Sequence, residues 1–125
     1  MKLAQILVME PALQALSQVK LPVKGGYRVS KLILAFSKEA QLYHEQRNKL
    51  LQDLGKPNED GSQFMLREEA VDGSVVFDNV KEFNEQINSL LEVDVGEFDK
   101  IKLDDFGSAQ IEPQHLLALD GLIEP

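Results

Sequence analysis

The strongest constraint in this chain of 125 residues is an apolar seam in its second quarter. From about Tyr27 to Leu54, side chains suited to a core recur at spacings that alternate between three and four residues. A helix places such positions on one face, and a sustained seven-residue repeat is typical of helices that pack lengthwise on a neighbour, as in a coiled coil. The members of the seam are Val29, Ile33, Phe36, Ala40, Tyr43, Arg47, Leu50 and Leu54.

The predicted helix would be roughly 40 Å long at 1.5 Å per residue. Because a compact domain of this size is narrower than that, we expect the helix to project or to carry a partner. Gly55 follows where helices often end in a left-handed conformation, and Pro57 comes two residues later. Arg47 is the one charged member of the seam. It either buries its stem and pairs with an acid, fixes the helix register, or faces solvent at a boundary.

A shorter helix and a hairpin are predicted after the seam. Residues 55–63 form a turn-rich loop, and two short extended runs follow at 63–68 and 74–77, separated by a link that contains Asp72–Gly73. That dipeptide is a strong signal for a β-hairpin. Asp78 or Asn79 then suits the N-cap of a helix that ends near Leu91. We expect this helix to run antiparallel to the long one and to cover its distal half.

The two ends of the chain carry short elements. Residues 2–9 are either a strand or the first turns of a helix, and Glu10–Pro11 looks like a helix start. "EVDV" at 92–95 and "KIKLDDF" at 100–106 alternate as half-buried strands do, and the first of them is a candidate to pair with residues 2–9. A last short helix begins at Glu112–Pro113 and ends at Gly121.

Together these elements predict an α+β fold in a single domain, residues 1–125. A long helix with its shorter antiparallel partner and an inserted β-hairpin at the tip would occupy residues 20–91. Residues 92–125 would form an acidic tail that packs back on this helical hairpin, with short strands near the chain ends.

The net charge of −8 conceals an asymmetry. Residues 1–56 carry nine Lys or Arg against four acids, and residues 57–125 carry four against 17. In a compact domain we expect the two parts to fold onto each other. Duplex DNA binding is not favoured, because only a local basic patch is available to neutralise phosphates. No segment resembles a signal peptide or a membrane span, which predicts no membrane contact.

A basic cluster stands where the long helix begins, in "KLPVKGGYRVSKLILAF". One interpretation is an anion site, such as a nucleotide or phosphate site, since glycines and helix N-termini admit phosphate groups. The other is an anchor for the acidic tail over the helix start. Neither the P-loop nor the dinucleotide motif is present. The candidate residues are Lys20, Lys24, Gly25, Gly26, Arg28 and Lys31.

Catalytic chemistry finds no support in the sequence. There is no Cys, so disulfides and thiolate chemistry are excluded. His44 and His115 lack a second His at helical spacing, and no serine lies in a nucleophile elbow. The paired carboxylates fall in charge-rich stretches that are typically solvated. We therefore predict no catalytic residue, no metal site, no cofactor and no enzymatic activity.

The chain resembles a group of small proteins of unassigned function encoded by tailed bacteriophages and prophages. The shared layout is a Leu-Pro-x-Lys entry, a Tyr-Arg-x-x-Lys helix start, and E-x-R-x-K-L near the helix end. A polar loop at Asn58–Gly61, a second helix in "NVKEFNEQINSLLEVDVGEF" and the close "IKLDDF…IEPQHLLALDGLIEP" complete it. The resemblance covers most of residues 20–125. It implies phage origin and carries over no catalytic residue.

The sequence thus leads to two functional hypotheses. The first is a non-enzymatic phage accessory protein that acts through protein–protein contact, as a homo-oligomer or with a phage or host protein. It would be found in the host cytoplasm or on the virion. The alternative is a small binding protein that captures an anionic ligand at the basic cluster.

Overall fold

The computed structural model describes residues 1–125, and the predicted α+β class is confirmed. The α-helices are α1 Leu3–Leu16, α2 Val23–Leu54, α3 Val80–Leu91 and α4 Pro113–Ala118. Two 3-10 helices lie at Leu103–Phe106 and Asp120–Leu122. The strands are β1 Lys56–Pro57, β2 Phe64–Met65, β3 Arg67–Glu69, β4 Val75–Asp78, β5 Ile101–Lys102 and β6 Ile123–Glu124.

The chain forms two compact units. Unit 1 consists of residues 1–40 and 94–125, and unit 2 consists of residues 41–93. Helix α2 contributes its first part to unit 1 and its last part to unit 2. The acidic C-terminal segment therefore packs with the N-terminal part of the chain inside unit 1.

Unit 1 holds nearly the whole apolar core of the protein. Of the fifteen buried hydrophobic residues, fourteen belong to unit 1 and only Phe83 belongs to unit 2. Helix α1 buries one face, and α2 adds a second buried stripe. The largest fully buried side chains of this core are Phe36, Ile6, Leu13, Leu16, Ile101, Leu119, Leu122 and Val29.

Helix α1 corrects the expectation of a helix start at Glu10–Pro11. The helix begins at Leu3 and continues through Pro11 to Leu16, so residues 3–9 are its first turns and not a strand. Proline inside a helix removes a hydrogen bond and costs about 3 kcal/mol. Burial of apolar side chains on both sides of Pro11 offsets this cost, since Ile6, Leu13 and Leu16 are completely buried.

Helix α2 begins four residues earlier than predicted, at Val23, so that Gly25 and Gly26 lie inside its first turn. The Gly26 N–H donates to the Pro22 carbonyl oxygen at 2.8 Å. Gly25 is buried because the backbone of Asp105 lies directly on it. A Cβ at position 25 would stand 1.8 Å from the Asp105 carbonyl oxygen.

The C-terminal segment contains less strand than the alternation predicted. Residues 100–106 form only the two-residue strand β5, which pairs with β6 in parallel, and then turn into a 3-10 helix. "EVDV" forms no strand, but the predicted pairing with the chain start exists as a single antiparallel bridge between Lys2 and Asp94. The Asp105 carboxylate explains the early turn, because its Oδ2 accepts the Lys102 N–H at 3.0 Å.

Within unit 2, the last part of α2 and helix α3 run antiparallel, as predicted. Asn79 at the start of α3 contacts Leu54 at the end of α2. Phe83, one turn further along α3, contacts Arg47, which lies two turns before Leu54 in α2. Asn79 occupies the N-cap position, but its side chain does not cap α3. Its Nδ2 donates to the Leu54 carbonyl oxygen at 2.6 Å and satisfies the C-terminus of α2 instead.

Strands β3 and β4 form the predicted β-hairpin, with an irregular register between Glu68 and Glu69. At its turn the Asp72 carboxylate accepts both the Ser74 hydroxyl and the Ser74 N–H, which together lower the pKa of Asp72. Gly73 beside it has φ +87°, a conformation that glycine adopts without steric cost because it has no Cβ. A second small hairpin, β1 with β2, encloses the loop that was predicted after the long helix.

Gly55 is a glycine for a different reason from the one predicted. It does not adopt a left-handed conformation. A Cβ at this position would lie 2.6 Å from the Leu51 carbonyl oxygen and 3.0 Å from that of Met65. The residue therefore gives the backbone of β2 room to approach the end of α2.

The glycine pair of α2 offers a matched test of the packing against Asp105. We expect Gly25→Ala to lower the free energy of unfolding by about 1–3 kcal/mol or more, because the new methyl group overlaps backbone atoms. Gly26→Ala should raise it by about 0.5–1 kcal/mol, since nothing lies within 4 Å of that site and alanine favours helix. Urea unfolding followed by circular dichroism measures both. Equal effects of the two substitutions would contradict this packing.

Asn79→Asp provides a second test, because general capping rules and the observed bond predict opposite signs. An aspartate is an equally good N-cap and favours the helix dipole. In this protein it would replace a donor by an acceptor that faces the Leu54 carbonyl oxygen. We expect a loss of about 1–3 kcal/mol in urea unfolding. The control Asn84→Asp, on the exposed face of α3, should change stability little. A stabilised Asn79→Asp variant would be inconsistent with the observed bond.

Candidate functional site

The most distinctive site of unit 1 is a concavity of about 690 Å³ beside the first three turns of α2. Lys24, Arg28 and Lys31 line it with the spacing four and three, which places them on one face of the helix. Three of the four predicted cations thus converge on one volume. Lys20 is not among the lining residues and is exposed in the link between α1 and α2.

Arg28 is bound internally and acts as the predicted anchor for the acidic C-terminal segment. One of its terminal guanidinium nitrogens lies 3.3 Å from Oδ2 of Asp105, whose side chain is only 7% exposed. The other cations of the cluster form no ion pair. The anchoring role therefore rests on Arg28 alone, and Lys24 and Lys31 point their charges into solvent at the concavity.

Two further cations of the site, Lys100 and Lys102, were not included in the sequence-based set. They flank Ile101 in and beside β5, and Ile101 is completely buried. Because successive side chains of a strand point to opposite sides, both lysines face away from the core and line the concavity. The alternation of "KIKL" predicted one exposed side for this segment, but it did not reveal that α2 lies opposite.

Three carboxylates also line the concavity: Glu97, Asp99 and Glu124. Glu97 is engaged already, since its Oε1 lies 3.3 Å from the ammonium group of Met1. Partial removal of that ammonium from water opposes its charge, but hydrogen bonds to Asp94 and Glu97 outweigh this effect and raise its pKa. With five cations against three carboxylates, the lining carries an excess of two positive charges.

Two aromatic rings complete the site. The Phe98 ring is half-buried and packs edge-on against Phe36, with 4.9 Å between the ring centroids. Tyr27 lies between Lys24 and Lys31 on α2 and is 68% exposed. The concavity therefore combines positive charge, hydrogen-bond acceptors and one accessible ring.

Arg47, the charged member of the seam, is exposed in unit 2. Its guanidinium lies over the ring of Phe83, 5.6 Å from the centroid, and forms no ion pair with Glu82 or Glu85. Of the three interpretations, the boundary position describes it best. Its cation–π contact with the one buried aromatic residue of unit 2 accounts for an arginine at this position.

Neither a metal site nor a membrane span is found. No group of three or more His, Asp or Glu side chains is arranged to hold a metal ion. None of the helices has the length and apolar character needed to cross a bilayer.

Comparisons with known proteins identify no relative. No family model matches the chain, and neither the curated proteins nor the solved structures contain a match. The functional inferences below therefore depend on the geometry of the two units.

The ion pair between Arg28 and Asp105 predicts an asymmetric response to substitution. Arg28→Met leaves the buried Asp105 carboxylate without a counter-ion and should lower the free energy of unfolding by about 1–3 kcal/mol. Asp105→Asn should cost less, because Arg28 is 34% exposed and can be solvated. The double variant should lose less than the sum of the two. The control Lys24→Met should change urea unfolding little. If Arg28→Met behaved like that control, the anchoring role would be rejected.

Proposed function

We propose that this chain is a non-enzymatic accessory protein of a tailed bacteriophage or prophage that acts through protein–protein contact. More specifically, we propose that unit 2 pairs with unit 2 of a second copy through strand β4. The uncovered apolar side chains of unit 2 carry this proposal. The resemblance of the sequence layout to small phage proteins supports a phage origin. Such a protein would act in the host cytoplasm or on the virion.

Unit 2 leaves many of its large apolar side chains exposed to solvent. Phe83 is its one buried hydrophobic residue. Exposed apolar surface of this kind marks interaction sites in proteins. The exposed large hydrophobic residues of unit 2 are Leu42, Phe64, Met65, Val71, Val75, Val76, Val80 and Val93.

Strand β4 is the element of unit 2 that gains most from a partner. Val75 and Val76 are each 52% exposed, and Val76 lies at the irregularity of the hairpin, where it has no partner in β3. The β3–β4 sheet has two strands, which leaves the other edge of β4 without a neighbour. Two-stranded hairpins are marginal in water, and further strands stabilise them.

The two edges of this hairpin differ in charge. Strand β3 carries Arg67, Glu68 and Glu69, and charged side chains on an edge discourage pairing. Strand β4 carries no charge before Asp78. Its β-branched and aromatic residues are those that favour strand pairing.

A second copy is a suitable occupant because β4 is complementary to itself. In antiparallel pairing about a two-fold axis at Val76, Val75 would lie opposite Phe77 of the second copy. Aromatic and β-branched residues form favourable cross-strand pairs. Ser74 would lie opposite Asp78, so that no like charges would oppose each other.

We expect Val76→Lys to abolish self-association. Sedimentation equilibrium over a concentration series should show a dimer for the unaltered protein and a monomer for this variant, because the lysines would meet at the two-fold axis. Val71→Lys is the matched control, since Val71 is fully exposed at the hairpin turn, away from the edge, and should leave the dimer intact.

Salt gives an independent check of the same interface. Unit 2 carries five Lys or Arg against eleven acids, so two copies repel each other. Screening by added salt should therefore strengthen the dimer.

Circular dichroism must show that Val76→Lys still folds. An unaltered protein that stays monomeric at all concentrations, or a Val71→Lys variant that also dissociates, would rule out pairing through β4.

A further inference from the structure

We propose that the concavity of unit 1 binds an organic phosphate of the nucleotide class. In this arrangement the phosphate lies among Lys24, Lys31, Lys100 and Lys102, and a flat ring rests on Tyr27. This inference is independent of the strand pairing proposed for unit 2, because none of its residues belongs to that unit.

The distribution of charge is the first reason. Lys24 and Lys31 come from α2, and Lys100 and Lys102 come from beside and within β5, yet all four line one volume without forming an ion pair. Like charges held together repel, and an anion relieves that repulsion. A phosphate monoester carries a charge of about −1.5 to −2 at neutral pH, and it would meet four lysines that form no ion pair, since Arg28 is already paired with Asp105.

The residue type is the second reason. An ammonium group on a long stem acts as a mobile point charge that can follow a phosphate oxygen, whereas arginine suits fixed bidentate contacts. Arg28, the one arginine that lines the concavity, forms an ion pair with the buried Asp105. The lysines remain available for a ligand.

The rest of the lining favours a nucleotide over a bare phosphate. Tyr27 is 68% exposed and lies one turn from both Lys24 and Lys31, where a base can stack beside the phosphate. Asp99 and Glu124 offer acceptors for ribose hydroxyls or an exocyclic amino group, which inorganic phosphate lacks. A concavity of about 690 Å³ is of the size that holds such ligands.

The glycine pair does not form the phosphate cradle considered from the sequence. Gly25 is covered by Asp105, and the Gly26 N–H already donates to Pro22. Side chains from α2 and the segment around β5 provide the anion site instead. The helix N-terminus is not required for it.

Titration of the ¹⁵N-labelled full chain with ADP tests the proposal. We expect saturable shifts of the amides in residues 24–31 and 98–102. Lys24→Gln/Lys31→Gln should weaken binding about tenfold or more, since two of the four free cations are lost. The control Lys38→Gln removes one lysine charge from an exposed position of α2 outside the concavity and should leave affinity unchanged.

Further titrations distinguish the contributions of the phosphate and of the base to binding. Inorganic phosphate and adenosine should each bind more weakly than ADP. Tyr27→Leu should weaken ADP and leave phosphate unaffected, because it removes the stacking ring and no charge. Absence of a saturable ADP shift, or an equal loss in Lys38→Gln, would overturn the site. Phosphate that binds as tightly as ADP, together with a silent Tyr27→Leu, would overturn the nucleotide class.

Discussion

The contact of Asp105 with the start of α2 organises unit 1. The Asp105 backbone lies on Gly25 so closely that any side chain there would collide with it. Its carboxylate accepts the Lys102 N–H, ends β5 and pairs with Arg28. Gly107 makes a second close approach, since a Cβ there would lie 2.7 Å from Cγ of Pro22. By fixing the segment around β5 against α2, this contact also sets the two groups of lysines face to face.

Unit 2 is stabilised by other means. It has one buried hydrophobic residue, and polar contacts fix specific points of its fold. The Asn79 amide satisfies the end of α2, Asp72 holds the hairpin turn, and Arg47 and Lys56 lie over the rings of Phe83 and Phe77. Exposed contacts of this kind contribute about 0.5–1.5 kcal/mol each. They define the positions of the strands without covering their apolar side chains, which is why further burial is available to a partner.

The sequence predicted those features that depend on local pattern. The seam located α2 and its end, the Asp72–Gly73 signal located the hairpin, and Pro113 marked the start of α4. Local rules failed at Pro11 and Gly25, because both residues disfavour helix by themselves. Their cost is offset by contacts with residues far along the chain, and no local pattern encodes such contacts.

The candidate site was predictable only in part for the same reason. Their closeness in sequence grouped Lys24, Arg28 and Lys31, but Lys100 and Lys102 join them through the fold alone. The different roles of the arginine and the lysines follow from the burial of their surroundings. A buried carboxylate requires a partner that stays charged and directs its donors, which a guanidinium provides. An ammonium group keeps its hydration in the open concavity and gives it up only for an anion that compensates the loss. A bound anion would therefore offset the mutual repulsion of the four lysines.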